Sequence, residues 1–295
     1  MDIHTLAARR PENIEEALDA MREGLDFFHE TRDRRAIFLQ LYYMMTLEVY
    51  RAMHGCGPYK GSRTFLDRDW IYRLSGLFSS LYFASLNAPK GDRAWHAAHA
   101  VARRPGSSVV QNALLGINAH INFDLPRAIA ENLDPAELPD YRVMQKRKFD
   151  HDQVNDLLVR TVNPVQKVLA KNYEPGIAVV DLALGRFDER ACAWLLRTYR
   201  QQVWWNALAF AAAAAPGGAE QQIVREKLER ESYRLAEKVQ RSPLWRAELA
   251  VNRVVRPLLA DRWAAVPLER RCHDHRHDLP NTPPSSEIGC SAPAL

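Results

Sequence analysis

The chain has 295 residues, 47% of them hydrophobic, and a formal charge of +4 at neutral pH. That length and apolar content suffice for a sizeable buried core, as one large domain or two small ones. The basic residues are scattered among acidic ones, without the basic face and interleaved aromatics of a nucleic-acid binder, so nucleic acid is not the partner expected.

The four cysteines, Cys56, Cys192, Cys272 and Cys290, show no paired spacing and no CxxC. Neither a disulfide framework nor a zinc knuckle is expected from them. Arg9 and Arg10 are not followed by an apolar run, and the longest such run, Ala207 to Ala215, is too short to span a bilayer. The expectation is a cytoplasmic protein with no membrane span.

Taken in order, residues 1–10 read as an N-terminal extension. Pro11 suits a first helical turn, with Glu12, Glu15 and Glu16 near the positive end of the dipole. Ile14, Leu18, Met21, Leu25 and Phe28 recur at three and four, predicting a surface helix that ends near Thr31. A mostly buried helix follows over Asp33 to Met53, and His54, Gly55, Gly57, Pro58 and Gly61 break it. Thr64 to Leu86 predicts a third helix, capped by Asp67 or Asp69, with Trp70, Leu74, Leu77 and Leu81 as its inner stripe. Tyr72, Phe78, Tyr82 and Phe83 add an aromatic belt to it. A short helix after Pro89 carries Trp95, His96 and His99 and ends at the turn of Arg103 to Gly106.

The next stretch, Ser107 to Pro126, organises the chain. From Val109 to Phe123 it holds no Lys, Arg, Asp or Glu, yet it carries Asn112, Asn118, His120 and Asn122, and Asp124 closes it. At helical spacing Val110, Leu114, Ile117 and Ile121 share one face, with Leu115, Ala119 and Phe123 across from them. A helix apolar on nearly every side is buried, so its polar groups must be paired or used, at about 1–3 kcal/mol for each one left unsatisfied.

Beyond it, Pro135 and Pro139 mark a loop, and a long pattern runs from Asp140 through Val162 until Pro164 kinks or ends it. Pro175-Gly176 is a stop, Asp188 caps a helix through Trp204 and Trp205, and Pro216-Gly217-Gly218 makes a turn. Glu220 to Val239 alternates charges as a solvated outer helix. Ser242-Pro243 starts a last helix toward Leu259, and residues 263–295 read as a disordered tail. No segment alternates as a strand. The fold class expected is all-α: a single irregular bundle of roughly nine to eleven helices over residues 11–262, built around the buried central helix.

Asn112, Gly116, His120 and Asp124 are spaced by four and form one ridge; Asn118 and Asn122 make a second polar pair. His120 and Asp124 can meet at a common point, either a metal ion or each other through a hydrogen bond. An imidazole and a carboxylate one turn apart suit zinc, iron or manganese. The bland alternative is a satisfied buried cluster that fixes helix register. A second cluster, Asp150, His151, Asp152, Asn155 and Asp156, places His151 and Asn155 one turn apart as further candidate metal ligands. Arg197, Arg200 and Gln201 beside Trp204 and Trp205 either meet an anionic or aromatic ligand or face outward from the core.

The residues NALLGINAHINFDLP, with FLDRDWIYRLSGLFSSLYF upstream, resemble an uncharacterised, mainly bacterial helical family, a domain of unknown function with an NAHIN-x-DLP signature. That resemblance spans most of residues 10 to 260 and implies the helical architecture without an activity. A more local one is to the LG-xxx-H-xxx-D helix of zinc-dependent phospholipases C and related single-strand nucleases, carried by Leu115-Gly116, His120 and Asp124. It implies metal-activated water. Of that family's further ligands, one position is Ala130 here, and the later HxxxD would be His151 with Asn155.

Two functions follow from these residues. One is a metal-dependent hydrolase with His120, Asp124, His151 and Asn155 as ligands and Asp152 or Asp67 as the group that takes the proton from water. The other is a metal-free protein that binds, or rearranges by acid-base chemistry, a small apolar ligand. Tyr42, Tyr43, Trp70, Phe78, Tyr82 and Phe83 would line its pocket, and Asn112, Asn118 and Asn122 would supply polar contacts. A non-catalytic interaction protein is a third possibility.

Overall fold

Asn13 opens the first long helix. Its side chain accepts from the Glu16 N–H at 2.9 Å, and Glu16 Oε2 in turn accepts from the Glu12 N–H at 2.9 Å. The helix therefore starts at Ile14, after Pro11 rather than on it, because the asparagine satisfies donors that a proline start leaves open. In the computed structural model, residues 1–87, 92–104, 107–173, 187–213, 218–242 and 250 are described, and all regular structure among them is helical.

The helices are α1 (Ile3–Ala7), α2 (Ile14–Glu30), α3 (Arg35–Met53), α4 (Arg68–Ser85), α5 (Arg93–Ala102), α6 (Val109–Ala119), α7 (Leu125–Asn132), α8 (Tyr141–Asn172), α9 (Phe187–Ala212) and α10 (Ala219–Arg241). The stretch read as an N-terminal extension contains α1, and Leu6 within it is fully buried. The all-α bundle is thus the fold. The helix expected from Ser242 toward Leu259 lies largely outside the described residues, and the Pro175-Gly176 stop and the 263–295 tail lie wholly outside them.

Two rods carry the core. Helix α3 is apolar nearly all round and packs on α2, α6 and α8. The second rod is α6 with its continuation into α7, held between α3, α4, α5, α9 and α10. Gly116 is where the rods touch: a Cβ there would lie 2.3 Å from Phe38 Cγ on α3, so only glycine admits that approach. The room that Gly116 leaves on its helix is taken by the neighbouring helix α3.

Helix α8 runs unbroken for 32 residues through Pro164. Pro164 and its neighbour Asn163 are exposed, so the Arg160 carbonyl that loses its helical partner can turn to water, and the break expected at this proline does not occur. Helix α10 is the charged outer helix expected. It buries only Leu228, Ser232 and Ala236, a stripe laid on α5 and α6. Cys56, for which the spacing of cysteines indicated no partner, is disulfide-bonded.

Candidate functional site

The central rod is not one α-helix. Between α6 and α7, residues His120–Asp124 form a π-turn, and the Leu125 N–H reaches back five residues to the His120 carbonyl. Pro126 explains the wider step. It has no N–H for the Asn122 carbonyl, and its ring would crowd that oxygen in a regular helix. Such single-turn bulges recur at functional sites.

Within the turn, His120 Nδ1 lies 3.0 Å from Asp124 Oδ2. The indole N–H of Trp95, on α5, donates to the same oxygen at 2.8 Å, and Arg127 approaches Oδ1 at 3.5 Å. A carboxylate only accepts, so the hydrogen facing Asp124 sits on Nδ1 and the other ring nitrogen, Nε2, carries a lone pair. His120 and Asp124 are 2% and 1% exposed. Burial holds the His120 pKa below its ordinary value, against an upward pull from Asp124, so the ring is neutral at physiological pH.

Nε2 has no hydrogen-bond partner among the described residues although it is buried. Phe78 stacks on the imidazole face with centroids 3.5 Å apart, and Tyr42 meets its edge at 4.3 Å. His120 forms part of the wall of a cavity of about 100 Å³ lined by residues of α3, α4, the central rod, α8 and α9. Leu41, Met45, Phe78, Ile117 and Leu158 give it apolar walls, and Arg200 closes one side. The chemistry this permits is proton acceptance by a fixed, neutral imidazole at the wall of a mostly apolar space.

The structure joins some of the expected site residues and separates others. Tyr42 and Phe78 line the cavity; Tyr43, Trp70, Tyr82 and Phe83 are buried in the core and do not. Asn112 donates to Ser107 Oγ at 2.8 Å and to the carbonyl of Ser108, the residue that caps α6, at 2.6 Å. Asn118 donates to the Ser232 carbonyl at 2.8 Å and accepts from Asn122 at 2.9 Å, so this pair fastens α10 to the rod. Asp67 caps α4 by accepting from the Trp70 N–H at 2.9 Å and also pairs with Arg147. Asp152 pairs with Lys148. None of these is hydrogen-bonded to His120, whose bond is to Asp124.

His151 and Asn155 form a separate centre around Arg200. His151 Nε2 donates to the Arg200 carbonyl at 3.0 Å, and its Nδ1 stands 3.3 Å from the Arg200 guanidinium. Arg200 Nε donates to Asn155. Both imidazole nitrogens are thus engaged, and the four residues expected to share a metal do not converge. The donor set does not fit a divalent ion at His120 either. Asp124 lies behind the ring rather than beside Nε2, no carboxylate is among the described residues lining the cavity, and a guanidinium faces it.

Trp95 and Phe38 carry no mark of the site in the sequence, where one belongs to a short helix and the other to the buried stretch from Asp33 to Met53. Of the two readings open for Arg200, a ligand contact or an outward arginine, the outward one does not hold. Arg200 is buried, 4% exposed. Spacing along one helix cannot show which residues of other helices approach it.

No helix among the described residues is long and apolar enough to cross a membrane. No curated protein and no solved structure matches the chain. Residues 14–242, more than half of its length, match the family described as a family of unknown function, DUF5995. That match shows that the chain belongs to this family.

Proposed function

We propose that the protein binds a small, mostly apolar molecule in the cavity beside His120, and that His120 Nε2 accepts a proton from it. The observation that carries this reading is the unpartnered buried Nε2, on a ring whose opposite nitrogen is held by Asp124. Native interiors rarely leave such an acceptor unused. An engineered apolar cavity of about 150 Å³ holds benzene, which puts a ligand of few heavy atoms in scale with this one. Asp124 and Trp95 would stabilise the imidazolium formed on proton transfer, the arrangement expected of a general base. Metal-dependent hydrolysis has less support, because among the described residues no group of three or more His, Cys, Asp or Glu side chains could hold a metal ion.

The test is the binding of phenol and toluene, which differ by one donor. Phenol should bind more tightly than toluene by about a factor of ten, the worth of one buried hydrogen bond. His120→Phe should remove that preference while leaving a folded protein. Equal binding of the two, or binding of neither, overturns the reading.

A further inference from the structure

Arg200 is the cavity's other polar wall, and its surroundings are unusual for a cation. The guanidinium is buried, and its partners among the described residues are all neutral: Asn155 on Nε, and the His151 carbonyl and ring nitrogen on Nη2. Nη1 makes no hydrogen bond among the described residues. Among the described residues no carboxylate pairs with this arginine; the acidic group that acts on it is Asp152, which is itself paired with Lys148. Burial lowers the Arg200 pKa only to about 10, so the group remains charged at neutral pH. An unpaired buried charge is among the costliest features a fold can retain. The asparagine and histidine contacts hold the guanidinium in place at the cavity wall without neutralising it.

We infer that Arg200 receives the carboxylate of a small apolar monocarboxylic acid, whose body fills the cavity. This rests on the ligand-binding reading of the His120 cavity and names its ligand class; the proton accepted by His120 would come from a donor carried on the acid's body, not from its carboxylate. A single guanidinium with one open nitrogen balances one negative charge, which favours a carboxylate over a doubly charged phosphate ester. The walls of Leu41, Met45, Ile117 and Leu158 offer the acid's tail an apolar lining and no second cation.

Straight-chain monocarboxylates of four to eight carbons, titrated calorimetrically against primary alcohols of the same lengths at about pH 7.5, test the assignment. The best acid should bind at least about tenfold more tightly than its matched alcohol, as expected for a hydrogen bond to a charged group. Arg200→Gln should reduce that ratio to about threefold or less, and Arg200→Lys, which keeps the charge, should retain part of it. A wild-type ratio below tenfold overturns the inference whether or not either variant folds, and so does a ratio unmoved in a folded Arg200→Gln protein. Tighter binding of an alkyl phosphate than of the acid overturns the choice of carboxylate. Where alcohols and phenol bind and acids do not, this inference fails and the cavity reading stands. Where none of them binds, both fail.

Discussion

His120 Nδ1 and Asp124 Oδ2 stand 3.0 Å apart across a single π-turn, with the Trp95 indole on the same oxygen. The pair sets which ring nitrogen bears hydrogen. We therefore expect the ¹⁵N spectrum of His120 at neutral pH to show a neutral ring protonated at Nδ1. Asp124→Asn should weaken both contacts and destabilise the protein by about 1–3 kcal/mol, measured by chemical denaturation. A spectrum showing hydrogen on Nε2 would contradict the arrangement.

Acid should weaken the fold through its buried histidines. Burial is the main cause that depresses His99, His120 and His151 in the folded state, and His99 falls to about 3. A histidine neutral when folded and near 6.5 when unfolded takes up its proton on unfolding. Its stabilising contribution is complete above the unfolded value and is lost as pH falls from there toward the folded one. For His99 that window runs from about 6.5 down to about 3. Stability should decline with a slope of about 1.4 kcal/mol per pH unit for each such group. Denaturation midpoints at pH 7 and 5 check this, and His99→Phe should lessen the slope by about one proton.

Gly116→Ala pits two effects against each other. Alanine is the better helix former by about 1 kcal/mol. Its Cβ would lie 2.3 Å from Phe38 Cγ, an overlap that costs about 1–3 kcal/mol to relieve. The overlap should win, lowering the melting temperature, and Phe38→Leu in the same chain should recover part of the loss.

Asn118→Ala separates the structural polar residues of the rod from His120. It strands the Ser232 carbonyl and one partner of Asn122, so a loss of about 1–3 kcal/mol in unfolding free energy is expected. Phenol binding should persist, since Asn118 does not line the cavity. Lost binding in a folded Asn118→Ala protein would show that the two polar faces of the rod act together.

What the chain alone determined is local. Helical spacing identified the elements, and a run without charges from Val109 to Phe123 marked the rod that the bundle buries. Spacing by four also put His120 against Asp124, because one turn of helix is a short-range geometry that sequence order encodes. The same rule misread His151 and Asn155, whose partner is a guanidinium on α9, and Asn118, whose partner is a carbonyl on α10. Tertiary packing decided those cases, along with the indole on Asp124 and the buried cation opposite His120. Hydrogen bonds and charges between helices depend on crossing angles and shape, and nothing in the order of residues along one helix records which neighbour will face it.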